Sequence, residues 1–478
     1  MESRAAFLSG RFKDALGFPP TASQDRMFDA AGEFLTTENG DILVVDGYAG
    51  TGKTSAVSSI ISVLSELNVP VVLLAPTGRA AKVLSLYSGR PASTVHKQIY
   101  RQKSVDDSGT GLFSLAPNKL RGALIVVDEV SLIGIDSPSA SAIFGSGNLL
   151  EDLVRYLRNG VGCKMLMIGD SAQLPPVGFD RSPALDEGFM SFAGGVEFVR
   201  MTDVVRQEAS SGILRCATVI REAITSMSSD DIPVSALGLP SDCGPKVART
   251  SGETLLDDLA SEYSRTGQDG CIVLCRSNKR ANRYNAGIRS RIQGREERLV
   301  RGDRLMIVRN CYHFVNHKED GMEYIANGDM ARLISARRYE QRYGLNFAQA
   351  KLVFPDYGDI EIDAKICLDV LESEAASLSH QQQQDLFSGV WEDYDGIASR
   401  KKRYDAVRED PFFNALQIKY SEAITCHKSQ GGQWDTVFID WPFWNGTLTR
   451  DDLKWLYTAM TRAVKKVYLI NFSDEVFR

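Results

Sequence analysis

Residues 41–54 read DILVVDGYAGTGKT, and this stretch decides the fold class. The apolar run ILVV has the length of a buried strand, and a helical pattern starts near Lys53. The turn between them carries three glycines, which permit backbone angles and close approaches that a Cβ would obstruct. These glycines are Gly47, Gly50 and Gly52. The N–H groups of such a turn, with the following helix N-terminus, form an anion site.

Two side chains at the end of this loop extend the prediction from an anion to a nucleotide. Lys53 supplies a cation for the β- and γ-phosphates, and Thr54 supplies a hydroxyl for Mg²⁺. The plain alternative is an ordinary turn between a strand and a helix. The placement of the motif between a strand pattern and a helix pattern favours a P-loop that binds a nucleoside triphosphate and Mg²⁺.

Composition narrows the class of protein. A chain of 478 residues predicts more than one domain, and 43% hydrophobic with 24% charged residues is typical of a soluble globular protein. The net charge of −6 means that nucleic-acid binding would need local basic clusters. The sequence has no apolar run of membrane-spanning length, and charges come too early for a secretory signal. The eight cysteines and five histidines lack metal spacing, so buried free thiols in a reducing compartment are expected.

Three later stretches repeat the plan of an apolar run followed by a polar loop. They are VPVVLLAPTGRAAKVL at 69–84, ALIVVDEVSL at 123–132 and CKMLMIGDSAQLPPVG at 163–178. This repeated pattern predicts a buried parallel sheet with functional loops at the strand ends. Asp128 would hold Mg²⁺ through its water shell, and Glu129 would polarise the attacking water. Gln173 would sense the γ-phosphate.

Two further polar residues carry weaker signals. Gln24 begins a helix shortly before the P-loop strand, where its amide can donate to and accept from an adenine edge. A solvated glutamine on a helix face explains it equally well. Arg206 follows a short apolar segment and could act as an arginine finger, or form a surface salt bridge.

Two insertions interrupt the sheet pattern. Turn-forming residues at 106–111 predict a small β-hairpin protruding from the first sheet, with a mobile loop as the alternative. From about 306 short alternating runs predict a small β-barrel, followed by two helical segments that serve as a brace or a DNA guide. Near the end, TRDDLKWLYTAMTRA predicts a helix with a capping box of Thr449 and Asp452. Its buried stripe leaves Arg462 free to face a partner surface.

The motif order resembles that of the superfamily-one DNA helicases. The motifs are GYAGTGKT, APTGRAAKVL, STVHKQIY, VVDEVSL, GDSAQLPPVG, VVRQ, VLCRSNKRANRYN, ITCHKSQG and WLYTAMTRA. They span about residues 24 to 463, nearly the whole chain. Within the superfamily the layout is similar to the 5′-to-3′ branch of the Dda and RecD type.

The resemblance implies an α/β fold of two RecA-like P-loop domains with ATP between them. The first domain, 1A, would take residues 1–100 and 122–228, with a hairpin insert, 1B, at 101–121 acting as the strand-separating pin. The second, 2A, would take 229–305 and 414–478. Its insert, 2B, would take 306–413, an SH3-like barrel with a tower-like helical insertion at 370–410.

The resemblance also assigns residues by motif. Lys53, Thr54, Asp128, Glu129 and Gln173 take the roles given above, and Gln24 reads adenine. The arginine fingers from either side of the cleft would be Arg206 and Arg462. Single-stranded DNA would be contacted by Pro76, Thr77, Arg79, His96, Thr425 and His427, and Phe113 is the candidate for the aromatic tip of the pin.

The implied function is an ATP-dependent DNA helicase that moves 5′-to-3′ on single-stranded DNA and unwinds duplex in replication, recombination or repair. Its partners would be single-stranded and partially duplex DNA, with a single-strand-binding protein or replication proteins as candidates. It would work in the cytoplasm of a bacterium or of a phage-infected cell, without a membrane. The alternatives are a 3′-to-5′ translocase of the same superfamily and a nucleotide-gated DNA-binding module that does not unwind.

Overall fold

The structure is a computed structural model that describes residues 3–105, 111–135, 145–205, 211–315, 322 and 324–478. Its first part alternates strands and helices up to residue 201. The elements are α1 (Arg4–Ala15), α2 (Ala22–Thr36), β1 (Ile42–Gly47), α3 (Lys53–Glu66), β2 (Val71–Ala75), α4 (Gly78–Ser88), β3 (Ala92–Thr94), α5 (Val95–Ile99), β4 (Tyr100–Val105), β5 (Gly111–Leu115), β6 (Leu124–Val127), α6 (Leu149–Arg158), β7 (Lys164–Gly169), α7 (Glu187–Met190) and β8 (Val196–Met201).

Six of these strands form the first sheet, in the order β3-β2-β6-β7-β1-β8. All the pairings are parallel, and β1 lies between β7 and β8. Every residue of β1 and of β6 is buried, because helices cover both faces of the sheet. The expected parallel sheet is therefore present, and the loops after β1, β2, β6 and β7 all open at its carboxyl edge.

The remaining elements build a second sheet and a barrel. They are α8 (Gly212–Ser226), β9 (Asp231–Pro233), β10 (Val247–Thr250), α9 (Leu255–Thr266), β11 (Cys271–Cys275), α10 (Asn278–Gly287), β12 (Arg304–Ile307), β13 (Met330–Arg342), β14 (Leu345–Phe354), β15 (Ile360–Cys367), α11 (His380–Asp393), α12 (Arg400–Arg408), β16 (Leu416–Tyr420), β17 (Ala423–Thr425), α13 (Cys426–Ser429), β18 (Trp434–Asp440), β19 (Thr447–Thr449), α14 (Arg450–Met460) and β20 (Ala463–Ile470).

The second sheet has the order β10-β20-β18-β11-β17 and is also parallel throughout. The capping box that starts α14 is present, since the Thr449 side chain accepts from the backbone of Asp452 and the Asp452 side chain accepts from the backbone of Thr449. Its stripe packs into the same core as β18 and β20. The C-terminal motif thus builds the helix that the sequence predicts.

A closed barrel of β12 to β16 is inserted between β11 and β17. The helices α11 and α12 lie within its last connection, so the predicted barrel and helical insertion are both present. One strand differs from expectation. The sequence assigns Leu416–Tyr420 to the second sheet, but this strand pairs with β12 and β15 and closes the barrel. Its apolar character fits either core, so only the pairing identifies it.

Helix α8 also differs from expectation. The sequence groups it with the first sheet, yet Ile213, Cys216 and Ile220 belong to the hydrophobic core that contains α14 and β18. An amphipathic pattern predicts that a helix buries one face, but not which sheet receives it.

Two expectations from composition concern the cysteines and membrane-spanning helices. All eight cysteines are buried and free. No helix within the described ranges is both long enough and apolar enough to traverse a bilayer.

Candidate nucleotide site between the two sheets

The glycine-rich loop joins β1 to α3 in the conformation that its glycines predict. Gly50 and Gly52 both have φ of +76°, a left-handed conformation that disfavours other residues. A Cβ on Gly50 would meet the side chain of Leu214, and one on Gly52 would meet the amide of Gln24. The loop is therefore enclosed by α8 on one side and by α2 on the other.

Lys53 and Thr54 occupy the first turn of α3. The Lys53 ammonium donates to the carbonyl oxygens of Gly47 and Tyr48, the latter at 2.9 Å, so it lies over the concave side of the loop. Thr54 is exposed at the same helix end. The cation and the hydroxyl that the motif requires thus stand at the positive end of a helix dipole.

The acidic pair follows β6. Asp128 accepts hydrogen bonds from the Tyr87 hydroxyl at 2.6 Å and from the Glu129 backbone N–H at 2.8 Å. Burial raises the pKa of both carboxyl groups, and the charge of Asp128 raises the pKa of Glu129 further. Glu129 has a φ of +52°, which is uncommon for a residue with a side chain. The two half-buried acids therefore stand next to each other, and their charges repel.

Two glutamine side chains near the loop have buried polar atoms that lack hydrogen-bond partners within the described chain. They are Nε2 of Gln24 and Oε1 of Gln173. The Gln24 Oε1 accepts from the Thr21 N–H at 2.9 Å in a capping box, which turns the NH₂ group towards Gly52. Leaving such an atom unpaired costs about 1–3 kcal/mol, so both atoms are suited to pair with a ligand.

Arg462 enters this site from the second sheet. Its Nη1 lies 3.9 Å from Glu129 Oε1, and its Nε donates to the Thr458 carbonyl at 3.1 Å. The residue is only 3% exposed, because it faces the first sheet across the cleft. It lies in the cleft because the chain bends back after α14 ends at Met460. Arg206, the other candidate finger, lies outside the described residues.

Tyr457 is the functional candidate that the sequence did not reveal. The Ala49 N–H of the glycine-rich loop donates to its hydroxyl at 2.8 Å, and that hydroxyl donates to Asp170 Oδ2 at 2.8 Å. The sequence predicts only that Tyr457 is buried. A buried tyrosine hydroxyl requires a partner, which was the one available signal, but the partners are hundreds of positions away.

The donor set fits Mg²⁺ and a nucleoside triphosphate. Within the described chain no three His, Cys, Asp or Glu side chains cluster as metal ligands. Mg²⁺ suits such a site, because it usually takes one or two protein oxygens and completes its shell with water and substrate phosphates. Asp128 and Thr54 are the residues that would hold it, and a cation there would offset the repulsion between the two acids.

The residues expected to contact DNA follow the outer strands of the first sheet. Pro76 and Thr77 come after β2, and the Thr77 hydroxyl caps α4. The Arg79 guanidinium lies 3.9 Å from the ring centroid of Trp434, in the second sheet. Burial lowers the pKa of Arg79 to about 10, so it remains charged at neutral pH. Arg79 therefore bridges the two sheets beside Thr77.

His96, Thr425 and His427 extend this surface. His96 lies on α5, and burial lowers its pKa to about 4, so the ring is neutral at pH 7. Thr425 ends β17, and its hydroxyl makes no capping bond within the described chain. His427 is exposed on α13. The loop after α13 passes close to α4, since a Cβ on Gly431 would lie 3.1 Å from the Thr77 hydroxyl.

Phe113 lies on the predicted hairpin but not at its turn. It sits inside β5, opposite Gln102, while residues 106–110 lie outside the described residues. Its ring centroid is 5.1 Å from that of Tyr312, which is 5.0 Å from Tyr324. Both tyrosines belong to the loop between β12 and β13 of the barrel. Phe113 therefore joins the flank of the hairpin to the barrel.

Comparisons with known proteins agree with this architecture. Residues 23–238 match a family described as an AAA domain, and residues 420–470 match the UvrD-like helicase C-terminal domain. The chain is 31% identical over 183 residues to the ATP-dependent RecD2 DNA helicase of Deinococcus radiodurans, covering 37% of this chain and 21% of that protein. It is 25% identical over 453 residues to the ATP-dependent DNA helicase dda of Enterobacteria phage T4, covering 90% and 94%.

Among solved structures, the Pif1 helicase from Bacteroides in complex with ADP-AlF3 and ssDNA aligns over 96% of this chain and 95% of that chain, at 16% identity and a TM-score of 0.45. The chain spans 36% of another relative, the uncharacterized protein MJ1519 of Methanocaldococcus jannaschii. Its span is thus about a fifth of RecD2 and a third of MJ1519, but nearly all of dda.

The glycine-rich loop and the parallel sheets define a P-loop protein. By sequence it is a relative of the superfamily-one helicases of the Dda and RecD type.

Proposed function

We propose that this protein is an ATP-dependent DNA helicase that moves 5′-to-3′ along single-stranded DNA and separates duplex ahead of it. The observation that carries the proposal is the composite cleft. Lys53, Asp128 and Glu129 belong to the first sheet, whereas Arg462 reaches them from the second. Hydrolysis at such a site depends on the distance between the two sheets.

The chain's own groups divide the work of hydrolysis. Lys53 and the loop N–H groups bind phosphate, and Asp128 with Thr54 would hold Mg²⁺, which would offset the charge of the phosphates. Glu129 accepts hydrogen bonding from the attacking water, and its raised pKa brings it closer to the range of an effective base. Arg462 stabilises negative charge that develops in the transition state. The bound Mg²⁺–ATP supplies the free energy that drives movement.

Gln24 recognises the adenine base of ATP. Its unpaired NH₂ group is a donor, and the ring nitrogen N7 of adenine is an acceptor. Gln173, on the loop after β7, has an unpaired oxygen. That oxygen would accept from the attacking water, whereas the amide NH₂ would approach the γ-phosphate.

The DNA track runs over the carboxyl ends of the outer strands of both sheets. Thr77 and His96 follow the adjacent strands β2 and β3, and Thr425 ends β17. Hydroxyls and a helix N-terminus suit phosphates, while the neutral His96 ring suits stacking or a single hydrogen bond. Such contacts grip the backbone without reading sequence, as translocation requires.

The proposal divides the chain into two RecA-like domains with two inserts. We assign α8 to the second domain, which moves the boundary from 228 to the segment 206–211. The β4–β5 hairpin is the strand-separating pin, supported by its contact with the barrel through Phe113 and Tyr312. The barrel with α11 and α12 is the SH3-like insert of the second domain, now bounded by Arg304 and Tyr420.

The deciding experiment compares partial duplexes that carry either a 5′ or a 3′ single-stranded overhang, with ATP and Mg²⁺. We expect preferential unwinding of the 5′-tailed substrate. Lys53→Ala should abolish DNA-stimulated ATP hydrolysis while circular dichroism and thermal unfolding remain those of a folded protein. Lys13→Ala removes a lysine of α1 that pairs with Asp25 and Asp29 at the surface, and it should retain hydrolysis.

Two other results of the unwinding experiment would indicate the two alternative functions. Preferential unwinding of the 3′-tailed duplex would indicate a 3′-to-5′ translocase. DNA-stimulated hydrolysis without strand separation on either substrate would indicate a nucleotide-gated binding module. As a helicase of DNA replication, recombination or repair, the protein would act in the cytoplasm of a bacterium or a phage-infected cell, beside single-strand-binding and replication proteins.

A further inference from the structure

We infer that Tyr457 is a positioning residue through which the second sheet controls the shape of the glycine-rich loop. The inference rests on the proposed function, because it concerns how the same cleft is held. Tyr457 does not touch the reacting atoms in the structure. It acts on the loop backbone and on the carboxylate at the end of β7.

The hydroxyl of Tyr457 makes two hydrogen bonds to the first sheet. It accepts from the Ala49 N–H, the third residue of the loop, and donates to Asp170, the first residue after β7. Tyr457 is 1% exposed and so is Asp170, so neither bond competes with bulk water. Asp170 accepts a further bond from the Ala172 N–H at 3.0 Å, which fixes the orientation of its carboxylate.

The next residue of α14 holds the other loop of the cleft. The Leu174 N–H donates to the Thr458 hydroxyl at 2.8 Å, and the Leu174 carbonyl accepts from Gln430 Nε2 at 2.7 Å. Leu174 follows Gln173, whose side-chain oxygen is buried and has no hydrogen-bond partner within the described chain. Both polar groups of one backbone residue are therefore bonded across the cleft.

Residues of α14, or of the segment directly after it, make all of these contacts. Tyr457 and Thr458 fix the two loops of the first sheet, and Arg462 follows on the same segment. Helix α13, which begins after Thr425, also packs against α14. A shift of α14 when DNA binds near Thr425 and His427 would thus change the loop backbone and the position of Arg462 together.

The test is amide hydrogen exchange of the glycine-rich loop in Tyr457→Phe, measured on the full-length protein without nucleotide. Phenylalanine preserves the ring but removes the hydroxyl, which leaves the Ala49 N–H without its acceptor. We expect peptides covering residues 46–54 to exchange faster than in the unsubstituted protein. We also expect weaker equilibrium binding of a fluorescent ATP analogue, roughly fivefold, since one buried hydrogen bond contributes about 1 kcal/mol.

Tyr263→Phe is the matched control. Its hydroxyl donates to Glu422 at 2.7 Å, so the substitution also removes one buried tyrosine–carboxylate bond, but on the far side of the second sheet. Equal exchange of the loop peptides in the two variants would overturn the inference. Faster exchange only in Tyr457→Phe would support it.

A second readout separates this inference from the proposed function. In the ATPase assay, Tyr457→Phe should show a reduced stimulation by single-stranded DNA, and Tyr263→Phe should keep the stimulation of the unsubstituted protein. If the unsubstituted protein hydrolyses no ATP, the proposed function fails. The exchange rates then still decide whether Tyr457 holds the loop.

Discussion

Arg462 Nη1 lies 3.9 Å from Glu129 Oε1, although the two residues come from opposite sheets and are more than three hundred positions apart. The charge of Arg462 lowers the pKa of Glu129, against the larger effect of burial, which raises it. The arginine therefore stabilises the carboxylate form of the group that would activate water.

We predict that Arg462→Ala reduces the DNA-stimulated kcat for ATP by about 10³-fold or more, the range observed for arginine fingers. The KM for ATP should change far less, because the contact matters most in the transition state. Arg155→Ala, which removes a surface arginine paired with Glu151 on α6, is the matched control and should keep its kcat. Retention of kcat within tenfold in Arg462→Ala would contradict the composite cleft.

The capping box of α2 allows the role of Gln24 in base recognition to be tested separately from its role in folding. Gln24→Glu keeps an oxygen that can accept from the Thr21 N–H but has no donor. Gln24→Ala removes both groups. We predict that both variants raise the KM for ATP by about tenfold, as expected for one lost hydrogen bond. The KM for GTP should rise similarly, because N7 is an acceptor in both purines.

Thermal unfolding reports the effect of each substitution on the fold: Gln24→Ala should lose the stability of the cap, about 1 kcal/mol. Gln24→Glu should be destabilised by its buried carboxylate. An unchanged KM for ATP in Gln24→Glu would show that the buried NH₂ group does not bind the base.

The contact between the hairpin and the barrel predicts a defect that is specific to strand separation. Phe113→Ala removes a ring that packs against Tyr312, a contact worth about 1 kcal/mol. Unwinding of the 5′-tailed duplex should slow about fivefold, whereas ATP hydrolysis on single-stranded DNA should stay within about twofold. Tyr312→Ala should reproduce the defect and Tyr312→Phe should not. Equal loss of both activities in Phe113→Ala would contradict a role limited to separation.

Asp329, in the loop before β13, makes the free energy of unfolding depend on pH. Burial raises its pKa to about 7, and its carboxylate accepts from the Ala326 N–H and from the Tyr357 hydroxyl. Because the folded protein binds this proton more tightly than the unfolded chain, this group stabilises the fold below about pH 4 and the contribution falls as pH rises to about 7.

Asp329 contributes at most about 1.4 kcal/mol per pH unit to the slope of the free energy of unfolding against pH. Asp329→Asn should flatten the pH dependence of the free energy of unfolding, measured by urea titration from pH 5 to 8. Asp363→Asn, on the exposed face of β15, should leave the slope unchanged. An unaltered slope in Asp329→Asn would contradict a raised pKa.

The sequence predicts what depends on short-range patterns. The glycine-rich loop, the apolar runs of β1 and β6 and the capping box at Thr449 are each encoded within a few residues, and each forms as expected. Strand Leu416–Tyr420 and helix α8 were assigned to the wrong neighbours, because an apolar face does not specify the sheet that covers it. Tyr457 and Trp434 were missed for a related reason, since their partners, Ala49 and Arg79, are distant in sequence.

The barrel leaves and rejoins the second sheet through strands that lie side by side. Leu305 of β12 is paired with Tyr420 of β16, and β11 is paired with β17 immediately beyond. The two ends of the inserted segment are therefore about one strand spacing apart, roughly 5 Å. Such an insertion can be lengthened, shortened or exchanged between chains during evolution without rethreading the sheet that carries it. The covalent connection between the barrel and the second sheet is therefore confined to two chain crossings that lie side by side.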